Sequence, residues 1–127
     1  MISEQINKVL IDSLSKELRI VFFTKNRHLQ SQTIFRQIVG YLTDLEEVFI
    51  IGNNKRIELR SKSFIEFKVL DFHNIRGRVF DFVFLDETTG IKRNDLSLIT
   101  ELRIRSKNEP IAFRLIKKNP FSRNRKH

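Results

Sequence analysis

The chain has 127 residues, a formal net charge of +9, 40% hydrophobic residues and 31% charged residues. Twelve phenylalanines supply enough apolar surface for a packed core, which excludes the disordered class, and the length favours one domain over residues 1–120 with a basic tail over 121–127. The absence of cysteine excludes disulfides and thiolate metal sites, and no apolar run approaches the ~20 residues of a membrane span. We therefore expect a cytoplasmic protein without a membrane partner.

The first half of the chain predicts a helix, a strand and a second helix. Apolar residues spaced by three and four positions predict an amphipathic helix from about Ser3 to Leu18. The β-branched and aromatic run Arg19–Thr24 (RIVFFT) predicts a buried strand. Helical spacing resumes at Leu29 and ends near Thr43.

The second half predicts a hairpin followed by strand, helix and strand. The segments RIELR and FIEFKVL alternate apolar and polar residues on either side of Ser61-Lys62-Ser63, which is typical of a β-hairpin. A strand over Val79–Leu85, a helix around Asn94–Arg105 and a strand over Ile111–Ile116 follow. Strands that alternate with helices predict an α/β fold, with a mostly parallel sheet flanked by helices on both faces.

The segment from Arg76 to Gly90 (RGRVFDFVFLDETTG) contains the most distinctive pattern in the chain. The apolar run FVFL ends in two adjacent acids, Asp86 and Glu87, as in a Walker B motif. Ligands of open α/β sheets bind outside the carboxyl ends of the strands, where such acids can hold Mg²⁺ and orient a water at a phosphate. The alternative is a core strand that ends in a solvated acidic turn, and the segment alone favours neither.

The positive charge is concentrated at the carboxyl end of the chain. Residues 103–127 contain nine Lys or Arg and one acid, Glu109, for a net charge of +8. Clustered cations indicate a polyanionic partner, foremost DNA, although a solubilising face or tail would look the same. The candidate DNA-binding residues are Arg103, Arg105, Lys107, Lys117, Lys118, Arg123, Arg125 and Lys126.

The order of these elements resembles the ATPase domain of tailed-phage large terminase subunits, which package DNA into capsids. The likeness extends over roughly Ile6 to Asn124. The segments that carry it are FFTKNRHLQSQTIFRQI, IELRSKSFIEF, NIRGRVFDFVFLDE and IAFRLIKKNPFSRN. This resemblance implies a P-loop NTPase-like fold in which the hairpin is an insertion. It also implies that Asp86 positions Mg²⁺, Glu87 activates the attacking water and Asn119 senses the γ-phosphate state.

The sequence departs from this family in one respect. It contains no G-x-x-x-x-G-K-[ST] motif, and its four glycines (Gly40, Gly52, Gly77 and Gly90) are too far apart to form a phosphate-binding loop. We therefore expect an incomplete ATPase core that begins downstream of this motif and lacks the family's nuclease domain. Mg²⁺ and ATP would bind only if a partner chain supplies the loop, and the chain alone would not hydrolyse ATP.

Three hypotheses remain open. The chain is a part of a packaging motor completed by another terminase or portal subunit, or it is a non-hydrolysing domain that binds DNA or a partner through its basic surface. A third possibility is a small metal-dependent nuclease, with Glu66 and Lys68 as an E-x-K half-motif and Asp44 as the second acid. Because a core without its first strand would leave a gap or unpaired edges in the sheet, self-association is a further expectation.

Overall fold

The computed structural model describes residues 3–24, 29–86 and 96–113. In this part of the chain the strands are β1 (Arg19–Thr24), β2 (Phe49–Ile51), β3 (Ile57–Leu59), β4 (Phe64–Val69), β5 (Phe82–Asp86) and β6 (Ile111–Phe113). The helices are α1 (Glu4–Ser13), α2 (Leu29–Asp44), α3 (Phe72–Ile75) and α4 (Leu96–Arg105). None of these helices is long and apolar enough to cross a membrane.

The strands form one mixed sheet in the order β2-β3-β4-β1-β5-β6. Strands β4, β1, β5 and β6 are parallel, whereas β2 and β3 are antiparallel to their neighbours. The predicted α/β class and the predicted hairpin are thereby confirmed. The described strands pair without interruption, so no gap opens beside β1, and the edges of this sheet are β2 and β6.

Each face of the sheet is covered by a different pair of helices. On the first face, apolar residues of α1 and α2 contact alternate residues of the strands, including Ile20, Phe22 and Phe84. On the second face, the alternate set, including Val21 and Val83, contacts α3 and α4. Strand β1 is buried along nearly its whole length because it has helices on both sides and strands on both edges. We call these surfaces the α1/α2 face and the α3/α4 face.

Phenylalanines form the centre of the α1/α2 face. The Phe22 ring stacks on Phe84 at a centroid distance of 4.6 Å and on Phe67 at 5.6 Å, so one aromatic stack spans β5, β1 and β4. Phe113 of β6 meets Phe22 edge-on at 5.5 Å. Offset-stacked and edge-on pairs add about 0.5–1.5 kcal/mol each beyond the burial of their area. The stack therefore joins all four parallel strands.

The observed elements differ from the predicted ones in four places, one of which is β5, which begins at Phe82 rather than at Val79. Helix α1 begins as expected, with the Ser3 hydroxyl accepting a hydrogen bond from the Ile6 N–H, but it ends at Ser13 rather than near Leu18. Leu14 and Leu18 still contact the core from the turn that leads into β1. Strand β2 and helix α3 were not predicted, because three and four residues are too few to display a period.

Candidate functional site

Asp86 is the last residue of β5 and lies at the carboxyl end of the parallel strands. It follows Phe82 and Phe84 at intervals of two residues, so its side chain is on the α1/α2 face. Asp86 is only 3% exposed. The predicted Walker B aspartate is therefore a buried carboxylate at a strand tip. Its neighbour Glu87 lies outside the described residues.

Thr24 is the neighbour of Asp86 on the adjacent strand. The parallel register places Phe23 opposite Leu85, so the next residues on the two strands, Thr24 and Asp86, lie side by side. Thr24 is 1% exposed and lies on the same face as Asp86. On the other side of Asp86, β6 brings Phe113 into register with it. The Thr24 hydroxyl group and the Asp86 carboxylate are thus on adjacent strands, and Phe113 is the neighbour of Asp86 on the other side.

The described helices that follow β1 and β5 along the chain lie on opposite faces of the sheet. Helix α2, after β1, packs on the α1/α2 face, and α4, after β5, packs on the α3/α4 face. In open α/β sheets, the carboxyl ends of two adjacent parallel strands that are followed by helices on opposite faces are the usual ligand site. Thr24 and Asp86 are at these two strand ends.

The chemistry of these two side chains suits a hard cation. Mg²⁺ binds oxygen ligands and is commonly held by one or two carboxylates together with waters and substrate phosphates. Within residues 3–24, 29–86 and 96–113, no group of three or more His, Asp or Glu side chains could hold a metal by itself. Asp86 and Thr24 could therefore supply a part of a magnesium site, with the remaining ligands coming from water and phosphate.

Three of the candidate DNA-binding residues are described, and all three form ion pairs. Arg103 Nε lies 2.9 Å from Glu109 Oε1, and Arg105 Nε lies 2.9 Å from Glu101 Oε2. Lys107 Nζ lies 3.3 Å from Asp81 Oδ1. Exposed pairs contribute little, about 0–1 kcal/mol, so Arg103 and Arg105 could exchange their carboxylate partners for phosphates, whereas Lys107 pairs with the largely buried Asp81. Lys117, Lys118, Asn119, Arg123, Arg125 and Lys126 lie outside the described residues.

These cations lie at the end of the sheet opposite Asp86. The Phe80 N–H donates to the Arg105 carbonyl at 2.7 Å, and the Lys107 N–H donates to the Phe80 carbonyl at 2.8 Å, which fixes the end of α4 beside the start of β5. Five residues of extended strand separate Asp81 from Asp86, or roughly 16 Å at ~3.3 Å per residue. The candidate DNA contacts on α4 and the candidate magnesium ligand are therefore on different ends of the sheet.

Asp81 is a buried acid whose role the sequence analysis missed. Its carboxylate accepts a hydrogen bond of 2.7 Å from the Arg19 N–H and pairs with the side chains of Arg19 and Lys107. Burial alone would raise the pKa of Asp81, but the hydrogen bonds from Arg19 and Lys107 and their positive charges outweigh it and lower the pKa below 3.8. An acid flanked by Phe80 and Phe82 is the signal that could have identified it.

Glu66 and Asp44, the acids of the nuclease hypothesis, lie on opposite sides of the sheet. Glu66 is buried on β4 and alternates with Ile65 and Phe67, so it points to the α3/α4 face, whereas Asp44 ends α2 on the α1/α2 face. The Glu66 carboxylate pairs with Arg56 and Arg78. A nuclease needs its acids and lysine around one metal, and this geometry does not bring them together.

The Arg76-Gly77 pair of the terminase-like block lies in the turn between α3 and β5. Gly77 has a φ of +74°, a conformation that residues with a Cβ resist, and Arg76 caps the end of α3. The conformational requirement at Gly77 is sufficient to explain the glycine.

The fold is similar to that of the large terminase of a thermophilic bacteriophage. One crystal form of that protein matches with a TM-score of 0.63 at 10% sequence identity, covering 84% of this chain and 28% of the terminase chain. A second crystal form, in complex with ADP, matches with a TM-score of 0.51 at 14% identity, covering 84% and 27%. No protein-family model matches the sequence, and neither does any curated protein. The chain thus has a terminase-like α/β fold and spans little more than a quarter of the length of those terminase chains.

Proposed function

We propose that this chain is a terminase-like component of viral DNA packaging that acts in the cytoplasm of the host cell. The observation that carries the proposal is the combination of the terminase-like fold over 84% of the chain with Asp86 at the carboxyl end of its parallel strands. The same position is where ligands of open α/β sheets bind. DNA, and other terminase or portal subunits, are the proposed partners.

In this proposal Asp86 contributes to a Mg²⁺ site and Thr24 supplies a second oxygen beside it. Bound Mg²⁺ would neutralise charge on the phosphates of ATP. Glu87, the next residue, is proposed to orient the attacking water, and Asn119 to respond to the state of the γ-phosphate. The glycine-rich phosphate loop is proposed to come from outside these 127 residues, for example from a partner chain, since they contain no such motif.

The basic residues near the carboxyl end are proposed to bind the phosphate backbone of DNA without reading its sequence. Arg103 and Lys107 are more than half exposed, and the exposed Glu109 holds Arg103 only weakly. Backbone binding of this kind releases counterions, so the logarithm of the affinity falls linearly with the logarithm of the salt concentration. Salt dependence is therefore the signature that separates this surface from a merely solubilising one.

Two measurements on the purified chain test the proposal. Calorimetric titration with Mg-ATP should give a dissociation constant no tighter than about 1 mM, and no phosphate should be released above the level of the Asp86→Asn variant. Fluorescence anisotropy with a labelled duplex should show binding that weakens steeply between 50 and 200 mM salt, roughly tenfold or more for several phosphate contacts. Turnover by the isolated chain would contradict the incomplete-core proposal, and salt-insensitive or undetectable DNA binding would remove DNA as the partner.

A further inference from the structure

The edge strand β2 carries a cluster of exposed apolar side chains. Ile50 is 67% exposed, Val48 59%, Ile51 48%, and Leu45 at the end of α2 38%. Edge strands are commonly protected from pairing by their shortness or by a lysine, a proline or an inward-pointing charge. Strand β2 (FII) is only three residues long but carries no charge and no proline. The strand therefore presents both apolar surface and a backbone edge.

The hydrogen-bond phase of β2 can be determined from its end. The Gly52 N–H donates to the Arg56 carbonyl at 2.7 Å, and in an antiparallel ladder hydrogen-bonded residues alternate. Two residues earlier, Ile50 and Glu58 are in register, so they form the next hydrogen-bonded pair. Phe49 and Ile51 consequently direct their N–H and C=O groups away from β3, toward the open edge of the described sheet.

The charges around β2 are self-complementary. Residues 44–58 contain four acids (Asp44, Glu46, Glu47 and Glu58) and two bases (Lys55 and Arg56), for a net charge of 2 − 4 = −2 in a chain of +9. Glu46 and Glu47 precede the strand, and Lys55 follows it. When two copies of this strand are antiparallel, the acidic end of each lies beside Lys55 of the other. The local negative charge reduces, at this edge, the long-range repulsion expected between two strongly basic molecules.

We propose that β2 is a homodimerisation edge, at which two copies of this chain pair their β2 strands antiparallel about a two-fold axis through Ile50. In this register Phe49 of each copy hydrogen-bonds with Ile51 of the other, which matches the outward groups of both residues. Ile50 faces Ile50 in a non-hydrogen-bonded pair and covers its exposed side chain. Since the strand is short, the dimer is weak and forms with increasing concentration. The proposal does not depend on the proposed packaging function.

A cysteine substituted at Ile50 tests both the contact and the register. Non-hydrogen-bonded pairs place their Cα atoms about 4.5 Å apart, within the ~4.4–6.8 Å range of disulfides. Because the chain has no cysteine of its own, Ile50→Cys treated with oxidised glutathione should yield a disulfide-linked dimer. Val48→Cys places the two sulfurs four residues out of register, roughly 13 Å along the strand, and should cross-link far less. Ile104→Cys on α4, where the side chain is 70% exposed, controls for random collision.

Sedimentation equilibrium over a range of concentrations tests the unmodified interface. Ile50→Lys should weaken dimerisation at least tenfold, whereas Ile104→Lys, with the same change of net charge, should leave it unchanged. Glu47→Lys and Lys55→Glu should each weaken dimerisation severalfold. The double variant should regain dimerisation, since it swaps the signs of the two charges and leaves opposite charges facing each other. Equal cross-linking of Ile50→Cys, Val48→Cys and Ile104→Cys, or a protein that stays monomeric at millimolar concentration, would overturn the proposal.

Discussion

Two buried aspartates lie at the two ends of strand β5, and they differ in what surrounds them. Asp81, just before the strand, is 8% exposed and is held by the Arg19 N–H and by the side chains of Arg19 and Lys107. Asp86, at the other end, is 3% exposed and lies beside Thr24, the last residue of β1. The strand between them is apolar.

The difference separates a structural acid from a candidate functional one. At the amino end of the sheet, the Asp81 carboxylate joins β1, β5 and the segment after α4, so its negative charge is matched within the fold. Asp86 is at the carboxyl end of the parallel strands, the end at which open α/β sheets usually bind ligands. Burial alone would not distinguish the two residues. Their positions at opposite ends of the sheet do.

The same substitution at both positions should have unequal effects on stability. Asp81→Asn removes the charge that pairs with Arg19 and Lys107, and hydrogen bonds to charged groups contribute about 1.5–3 kcal/mol. We expect the free energy of unfolding to fall by about 2 kcal/mol for Asp81→Asn and by a smaller amount for Asp86→Asn, since functional sites commonly trade stability for activity. Urea unfolding followed by circular dichroism measures both, and the reverse order would contradict the assignment.

The contribution of Asp81 should also depend on pH. Because its pKa is lower in the folded chain than the ~3.9 of an unfolded one, its stabilisation is complete above about pH 5 and is lost as the pH falls through the folded-state pKa. The stability difference between the wild type and Asp81→Asn should therefore be constant from pH 7 to 5 and shrink below pH 4. A difference that grows on acidification would mean that Asp81 is not the charged partner described above.

The turn before Asp81 offers a smaller, paired test. Gly77→Ala should cost about 1 kcal/mol, since φ is +74° there, although no atom obstructs a Cβ. Gly40→Ala, in the middle of α2 and equally unobstructed, should instead stabilise the protein by about 0.5–1 kcal/mol. Thermal unfolding of the two variants gives the comparison. Equal changes of the same sign in the unfolding temperature would show that the backbone conformation at Gly77 does not determine the effect of the substitution.

The smallest expected effect concerns DNA. Arg103→Ala removes an exposed cation near the amino end of the sheet and should weaken duplex binding only severalfold, while reducing the slope of log K against log salt by about 0.9. Lys8→Ala removes an equal charge from an exposed position on α1 and serves as the control. If both variants reduce the slope equally, binding follows the overall charge rather than this surface.

The sequence predicted the elements that have a clear period or a continuous apolar run. Strand β1, the hairpin and β5 follow from such patterns, and Asp86 was located at a strand end for the same reason. The ion pairs of Asp81 and Glu66 could not be predicted, because the strand order brings together residues that are distant in sequence. Asp81 is 62 positions from Arg19 and 26 from Lys107, and Glu66 is 10 positions from Arg56 and 12 from Arg78. Strand β2 is defined by its pairing with β3, which three residues cannot reveal.

Metal-induced broadening of backbone amide signals is the most direct test of the central claim, that the carboxyl end of β5 is the functional end of the sheet. Mn²⁺ shares the preference of Mg²⁺ for oxygen ligands and broadens nearby resonances. Broadening detects even weak, partial occupancy, so at millimolar Mn²⁺, well above what tight binding with the phosphate loop would need, the account predicts selective broadening at Thr24, Leu85 and Phe113 that disappears in Asp86→Asn and persists in Asp81→Asn. Broadening centred on Asp81, or broadening at Thr24 that survives in Asp86→Asn, would contradict it.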